Sequence, residues 1–159
     1  MEGKGSVCMI KSSLIYIEKD GCWLMLHRVR KVNDVNKDKW IGVGGKFEPG
    51  ETPEACAARE MKEETGLSPM DLTYRGIVHF TSNEAPDEDM HLFTCTKFTG
   101  TLIDCDEGVL EWVPISDIGK LNLWEGDMVF LKLLREGAPF FTLALQYEGN
   151  KLVKAERIS

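Results

Sequence analysis

The chain has 159 residues, a length that suits one domain and leaves little room for a second core. Its composition, 43% hydrophobic and 28% charged with 15 Gly and 6 Pro, excludes disordered, collagen-like and low-complexity classes. Lys and Arg number 19 against 26 Asp and Glu, and the resulting net charge of −7 argues against a nucleic-acid polymer as partner, because proteins that neutralise DNA phosphates are basic.

Residues 1–10 contain no apolar core of a signal peptide, and no apolar run approaches the roughly 20 residues that span a bilayer, so a soluble, cytoplasmic chain with no membrane partner is expected. Residues 10–17 and 22–27 are β-rich runs separated by the turn residues Glu18, Lys19, Asp20 and Gly21, which predicts a hairpin. A polar loop over 28–39 leads into Trp40-Ile41-Gly42-Val43-Gly44-Gly45, whose three glycines bring backbone close to a neighbour or permit unusual dihedrals. Thr52 as N-cap, Pro53 at the first helical position and Gly66 as the stop mark a helix over 53–65. Strands are expected over 74–80, 91–98 and 111–113, with an acidic loop at 83–89. A second helix over 125–136 carries Met128, Leu131 and Leu134 on its apolar side, and runs over 140–147 and 152–157 form a closing hairpin through Glu148-Gly149-Asn150. With no repeat or linker, the pattern predicts a single α/β (α+β) domain over 1–159 rather than a regular βαβ array.

Cys8, Cys22, Cys56, Cys95 and Cys105 are odd in number and lack the two-residue spacing of zinc or redox motifs, so reduced, mostly buried thiols are expected. His27, His79 and His91 share no metal spacing either and are expected to be packed or surface side chains.

The first helix breaks a local rule. Glu60, Glu63 and Glu64 lie at i, i+3 and i+4 and share one face near the C-terminal end. Like charges at these spacings cost about 0.2–0.5 kcal/mol per pair, and acids in a last turn oppose the helix dipole by a further ~0.3–1 kcal/mol each. A cluster of hard oxygen donors suits Mg²⁺ or Mn²⁺, whose charge would reverse that penalty. A solvated acidic face is the structural alternative.

The wider spacing decides between them. Gly45, Glu51, Arg59, Glu60, Met61, Glu63, Glu64, Gly66 and Leu67 follow the pattern Gly-x5-Glu-x7-Arg-Glu-apolar-x-Glu-Glu-x-Gly-apolar. Over residues 45–67 the chain therefore resembles the Nudix hydrolase family. The resemblance implies an α/β/α sandwich with a mixed sheet and hydrolysis of a nucleoside diphosphate linked to another group. It also implies that Glu60 and Glu64 ligate metal and that Glu63 is a ligand or activates water, with the carbonyl of Gly44 as a further ligand. By the same resemblance Arg59 orients the carboxylates and Glu51 holds Arg59. Coupled carboxylates around a metal titrate as a group, so the base is left open among the glutamates. The family usually adds one acid from outside this box, and within Asp104-Cys105-Asp106-Glu107-Gly108 the choice falls on Glu107.

The resemblance further implies that Gly44, Gly45 and Lys46 lie beside the phosphates. Arg28 would face them too, with Arg30, Lys31 and Lys39 near enough to share the task. Within the family the chain is similar to the MutT-like branch that acts on oxidised purine nucleoside triphosphates such as 8-oxo-dGTP. In that branch the segment matching Trp124-Glu125-Gly126-Asp127 reads the base, which gives Trp124 and Asp127 substrate-binding roles. Ile41 stands where the human-type member has an asparagine, and Gly126 precedes Asp127 where it has paired aspartates. A site that loses hydrogen-bonding partners loses discrimination faster than affinity. The expected function is Mg²⁺-dependent hydrolysis of a (deoxy)nucleoside triphosphate, with an oxidised purine such as 8-oxo-dGTP as the expected substrate, to monophosphate and pyrophosphate. The alternatives are ADP-ribose or another nucleoside diphosphate derivative as substrate, and a non-catalytic nucleotide-sensing module. A small-molecule nucleotide is the expected partner; monomer and homodimer are both open.

Overall fold

The computed structural model describes residues 9–30, 34 and 36–159, so Cys8 and Lys31 lie outside the described residues. β1 (Ile10–Lys19) and β2 (Cys22–His27) form the expected hairpin, with the turn itself confined to Asp20 and Gly21, both at positive φ. The two strands pair only at their near ends, Glu18 opposite Trp23 and Lys19 opposite Cys22. Beyond that point they part. β1 pairs antiparallel with β4 (Val43–Lys46), whereas β2 turns to β3 (Trp40–Ile41) and β9 (Val109–Pro114). The fork opens a cleft above the β3–β4 segment.

On its other edge β1 runs parallel to β7 (Glu88–Cys95), which is antiparallel to β6 (Thr73–Ser82). Then come β10 (Phe141–Glu148), parallel to β6, and β11 (Lys151–Arg157), so the sheet is mixed. Helix α1 (Pro53–Thr65) covers one face, with Ala57 and Met61 packed against Ile15, Ile17, Leu24, Val43 and Phe93. Helix α2 (Glu125–Arg135) covers the other, with Phe130, Leu131 and Leu134 against Tyr16, Val78, Phe141 and Leu143. Each large apolar side chain so buried contributes roughly 1.5–3 kcal/mol before entropy is subtracted. The arrangement is the α/β/α sandwich that the resemblance implies.

Three local expectations need correction. Met128 is not on the core side of α2: it is 44% exposed, and the buried row is Asp127, Phe130, Leu131 and Leu134, which follows the helical repeat more closely. The strand expected over 91–98 ends at Cys95, and Phe98–Gly100 is a separate strand, β8, paired with β5 (Leu67–Pro69) outside the main sheet. Glu88 and Asp89, expected in a loop, are strand residues of β7. A 3₁₀ helix, Ile115–Lys120, was not anticipated either.

Among the described residues Cys22, Cys56, Cys95 and Cys105 are unbridged, and all but Cys22 are buried. His27 stacks on Trp40, while His79 and His91 bond Asp89 and Tyr74, so each histidine is held by its neighbours. No helix among the described residues is long and apolar enough to cross a membrane.

Candidate active site

Helix α1 is aimed by local signals. Thr52 Oγ1 accepts from Ala55 N at 3.1 Å, and Pro53 occupies the first turn. At the other end Gly66 adopts φ 82°, a left-handed conformation that glycine enters without strain, and its N–H donates to the carbonyl of Lys62. Ser13 Oγ donates to the carbonyl of Pro53 at 2.9 Å, which fastens the start of the helix to β1. The glutamate face is thereby laid along β4 and faces the cleft.

How this face tolerates three carboxylates is visible in their partners. Arg59 Nε donates to Glu51 Oε2 at 2.7 Å and Nη2 to Glu51 Oε1 at 2.9 Å, a two-pronged bond that holds Glu51 down to a pKa of about 2. The remaining nitrogen of the fork, Nη1, donates to Glu60 Oε2 at 2.9 Å and Glu63 Oε1 at 3.3 Å. Arg59 thus bridges Glu51 to Glu60 and Glu63. Burial pushes Glu60 up, against the pull of Arg59.

Glu64 turns inward. It accepts one hydrogen bond, from Gly44 N at 3.0 Å, and burial lifts its pKa to about 8, with Glu107 and Glu60 adding to the rise. Glu107 is held by Arg28 Nη1 at 2.6 Å, and Arg28 Nε donates to Asp34 Oδ2 at 2.8 Å. The backbone of β4 comes so close that a Cβ on Gly45 would stand 2.4 Å from the carboxyl carbon of Glu60.

These groups line one cleft of about 1020 Å³, together with Trp124 and Asp127 at its far end. Of the side chains proposed from sequence, Arg28, Lys46, Arg59, Glu60, Glu63, Glu64, Glu107, Trp124 and Asp127 all border it, as do Gly44 and Gly45, whereas Glu51 stands behind Arg59. Arg28 does so with its charge engaged by two carboxylates. The two other described candidates for the phosphate end are elsewhere. Arg30 Nη1 donates to the carbonyl of Cys105 in a separate small depression, and Lys39 Nζ lies 4.9 Å over the Trp124 ring.

The far end is aromatic and apolar. Trp124 meets Tyr147 edge to face at 5.8 Å, and Phe80 packs on Tyr147. Gly126 N donates to Tyr147 Oη at 2.6 Å, and a Cβ at Gly126 would stand 2.7 Å from Leu145. The space an aspartate would need at position 126 is filled by these two side chains. Asp127 is buried, and burial raises its pKa to about 7, opposed by Lys39. Because the folded carboxyl holds its proton above the ordinary value, stability is expected to fall as pH rises from about 4 through about 7, by a few kcal/mol in all. Thermal melts across this range should show Asp127→Asn with a flatter profile and a higher Tm than the wild type at pH 8; equal slopes would mean that Asp127 titrates normally.

The donors near Glu60 are oxygens throughout: the carboxylates of Glu60, Glu63, Glu64 and Glu107 and the carbonyl of Gly44. That set, with a half-buried Glu64 whose charge is met by the Gly44 N–H and, at longer range, by Arg28, fits a hard divalent cation. Among the described residues no three acidic, imidazole or thiol groups already converge on one point; Arg59 and Arg28 engage Glu60, Glu63 and Glu107 instead. Sequence reasoning missed Asp34, Asn36, Phe80 and Tyr147, all of which line the cleft. Asp34 and Asn36 sit in a loop with no periodicity, and Phe80 and Tyr147 read as ordinary strand residues.

Known proteins resemble this chain in sequence and in fold. Residues 12–134 match the model of the NUDIX domain. The oxidized purine nucleoside triphosphate hydrolase of Danio rerio is 29% identical over 121 residues, 76% of this chain and 77% of that protein. The Mus musculus enzyme of the same name is 34% identical over 103 residues, 64% of this chain and 66% of its own length. The solved structure of the MutT protein from Bacillus halodurans superposes with a TM-score of 0.84 at 21% identity, covering 94% of this chain and 98% of the other.

Proposed function

The chain belongs to the Nudix family, and from that premise we propose that it hydrolyses a purine nucleoside triphosphate, oxidised purines included, to the monophosphate and pyrophosphate. One observation carries the reading. A single cleft joins an aromatic end, Trp124 with Asp127, to a carboxylate end, Glu60, Glu63, Glu64 and Glu107, and so offers a base and a phosphate chain separate seats.

In this reading the base lies against Trp124, and Asp127 meets its polar edge. The phosphate chain runs over Gly44 and Gly45, where the absence of a Cβ lets it approach the backbone, and Lys46 flanks it. Mg²⁺, for which Mn²⁺ is a substitute, would be held by Glu60 and Glu64 with Glu63, Glu107 and the Gly44 carbonyl, and would supply charge neutralisation at the phosphate oxygens and a more acidic water. The glutamates take up the proton that the attacking water releases. Arg59, anchored by Glu51, holds Glu60 and Glu63 in place, and Arg28 does the same for Glu107. Water attack on a phosphorus of the chain and departure of pyrophosphate complete the reaction, with no covalent intermediate.

The test is kcat/KM with Mg²⁺ on 8-oxo-dGTP, dGTP, the other canonical triphosphates and ADP-ribose, with products identified. Turnover of purine triphosphates with release of pyrophosphate is expected. A preference of tenfold for 8-oxo-dGTP over dGTP, about 1.4 kcal/mol of differential transition-state binding, would add the oxidised base to the reading. Poor turnover of every triphosphate beside rapid cleavage of ADP-ribose would overturn the substrate and leave the chemistry.

A further inference from the structure

Asp34 and Asn36, from the connection between β2 and β3, border the cleft that also holds Trp124 and Asp127. From this connection Asn36 meets Trp124, which donates its Nε1–H to Asn36 Oδ1 at 2.7 Å. An indole N–H can only donate, so chemistry settles which way the carboxamide points. Its oxygen faces the indole, and its NH₂, two donors and no acceptor, is directed elsewhere. Among the described residues no protein acceptor takes up these donors. Asn36 also borders the cleft, beside Trp124 and Asp127.

The donor is held firmly. Asn36 N donates to Asp34 Oδ1 at 3.0 Å, and the Asn36 carbonyl accepts from Lys39 N at 2.8 Å. Asp34 is nearly buried and takes Nε of Arg28. Trp124 in turn is fixed by Lys39 over its face and by Tyr147 at its edge. An amide oriented from both sides loses little freedom on meeting a ligand, and such a group discriminates well.

We propose that Asn36 is a specificity-determining residue of the base site: its Nδ2 hydrogens, aimed by Trp124, donate to a carbonyl oxygen on the purine edge, so that the cleft favours an oxopurine over an aminopurine. An exocyclic amine in place of that carbonyl sets donor against donor and leaves the Asn36 hydrogens unpaired. The inference rests on the nucleotide reading above and deepens it.

The variant that isolates the effect is Asn36→Asp, which keeps an oxygen for Trp124 Nε1 and replaces the donors by an acceptor. Equilibrium binding of dGMP and dAMP, and turnover of dGTP and dATP, are measured for the wild type, Asn36→Asp and Asn36→Ala. The wild type is expected to favour the guanine nucleotides. In Asn36→Asp the ratio of guanine to adenine affinity falls at least tenfold, with adenine unchanged or improved, and Asn36→Ala shows the same loss of preference, which settles the matter should Asn36→Asp melt early. Equal weakening toward both bases, an unchanged ratio, or a wild type without preference would overturn the proposal. Failure of the parent reading looks different: the wild type then cleaves neither triphosphate, while the binding ratios still judge Asn36.

Discussion

Glu64→Gln is expected to lower kcat by about 10³-fold or more while leaving Tm equal to or above that of the wild type. The glutamine keeps the acceptor for Gly44 N, the one hydrogen bond that Glu64 makes among the described residues, and has almost the same shape. What it cannot do is ionise. Burial and the nearby charges of Glu107 and Glu60 hold the Glu64 proton on until about pH 8, so the carboxylate is the costliest of the set to keep in the fold. A fold that retains such a group bears a cost which a bound cation would offset. Two readouts check the expectation: kcat under saturating Mg²⁺, and the rise of Tm with added Mg²⁺, which the wild type should show and Glu64→Gln should lose. Activity within tenfold of the wild type would remove Glu64 from the machinery. A fall in Tm of many degrees would make its role structural.

The second large effect is expected from Gly45→Ala, where the added methyl meets Glu60 and nothing else nearer. Its Cβ would lie 2.4 Å from the Glu60 carboxyl carbon and 2.5 and 2.7 Å from the two oxygens, far inside contact distance. All three atoms belong to the end of a flexible side chain, so the backbone can stay and the carboxylate must leave. Leaving means breaking the 2.9 Å bond from Arg59 and abandoning the position facing Glu64. The Mg²⁺ concentration for half-maximal rate should rise about 10- to 100-fold, the range typical of disturbed ligand support. Tm should move by no more than a few degrees. If instead Tm collapses and the surviving fraction has a normal Mg²⁺ requirement, the close approach of β4 to α1 serves packing and not the carboxylate.

Sequence was most informative where the determinants are local. Thr52, Pro53 and Gly66 act within a turn of helix, and α1 has the limits they mark. The fixed spacing of Glu51, Arg59, Glu60, Glu63 and Glu64 spans one loop and one helix, so their grouping follows from α1 lying along β4. Elsewhere the deciding partner lies far along the chain. Arg28 reads as a free cation until Asp34 and Glu107 are seen on either side of it, and Lys39 is drawn to Asn122 and the Trp124 ring. The strands Leu67–Pro69 and Phe98–Gly100 are three residues each and exist only by pairing with one another, which no periodicity announces. Met128 has the right hydrophobicity for the core and the wrong angular position, a distinction of one residue in the helical repeat.

The position of β1 in the sheet bears on the order in which the protein is built. Ile10 pairs with Glu88 and Ile17 with Cys95, and the same strand carries β4 on its other side, from Ser12 opposite Lys46 to Ile15 opposite Val43. During synthesis the helix with the glutamates leaves the ribosome long before β7 does, and its supporting strand then lacks one whole edge. Such distant pairing slows folding and postpones the rigid site until most of the chain is present. Once formed, β1 is paired on both sides from Ser12 to Ile15, and exchange of these amides with solvent deuterium should require opening of the entire domain, making them its slowest protons.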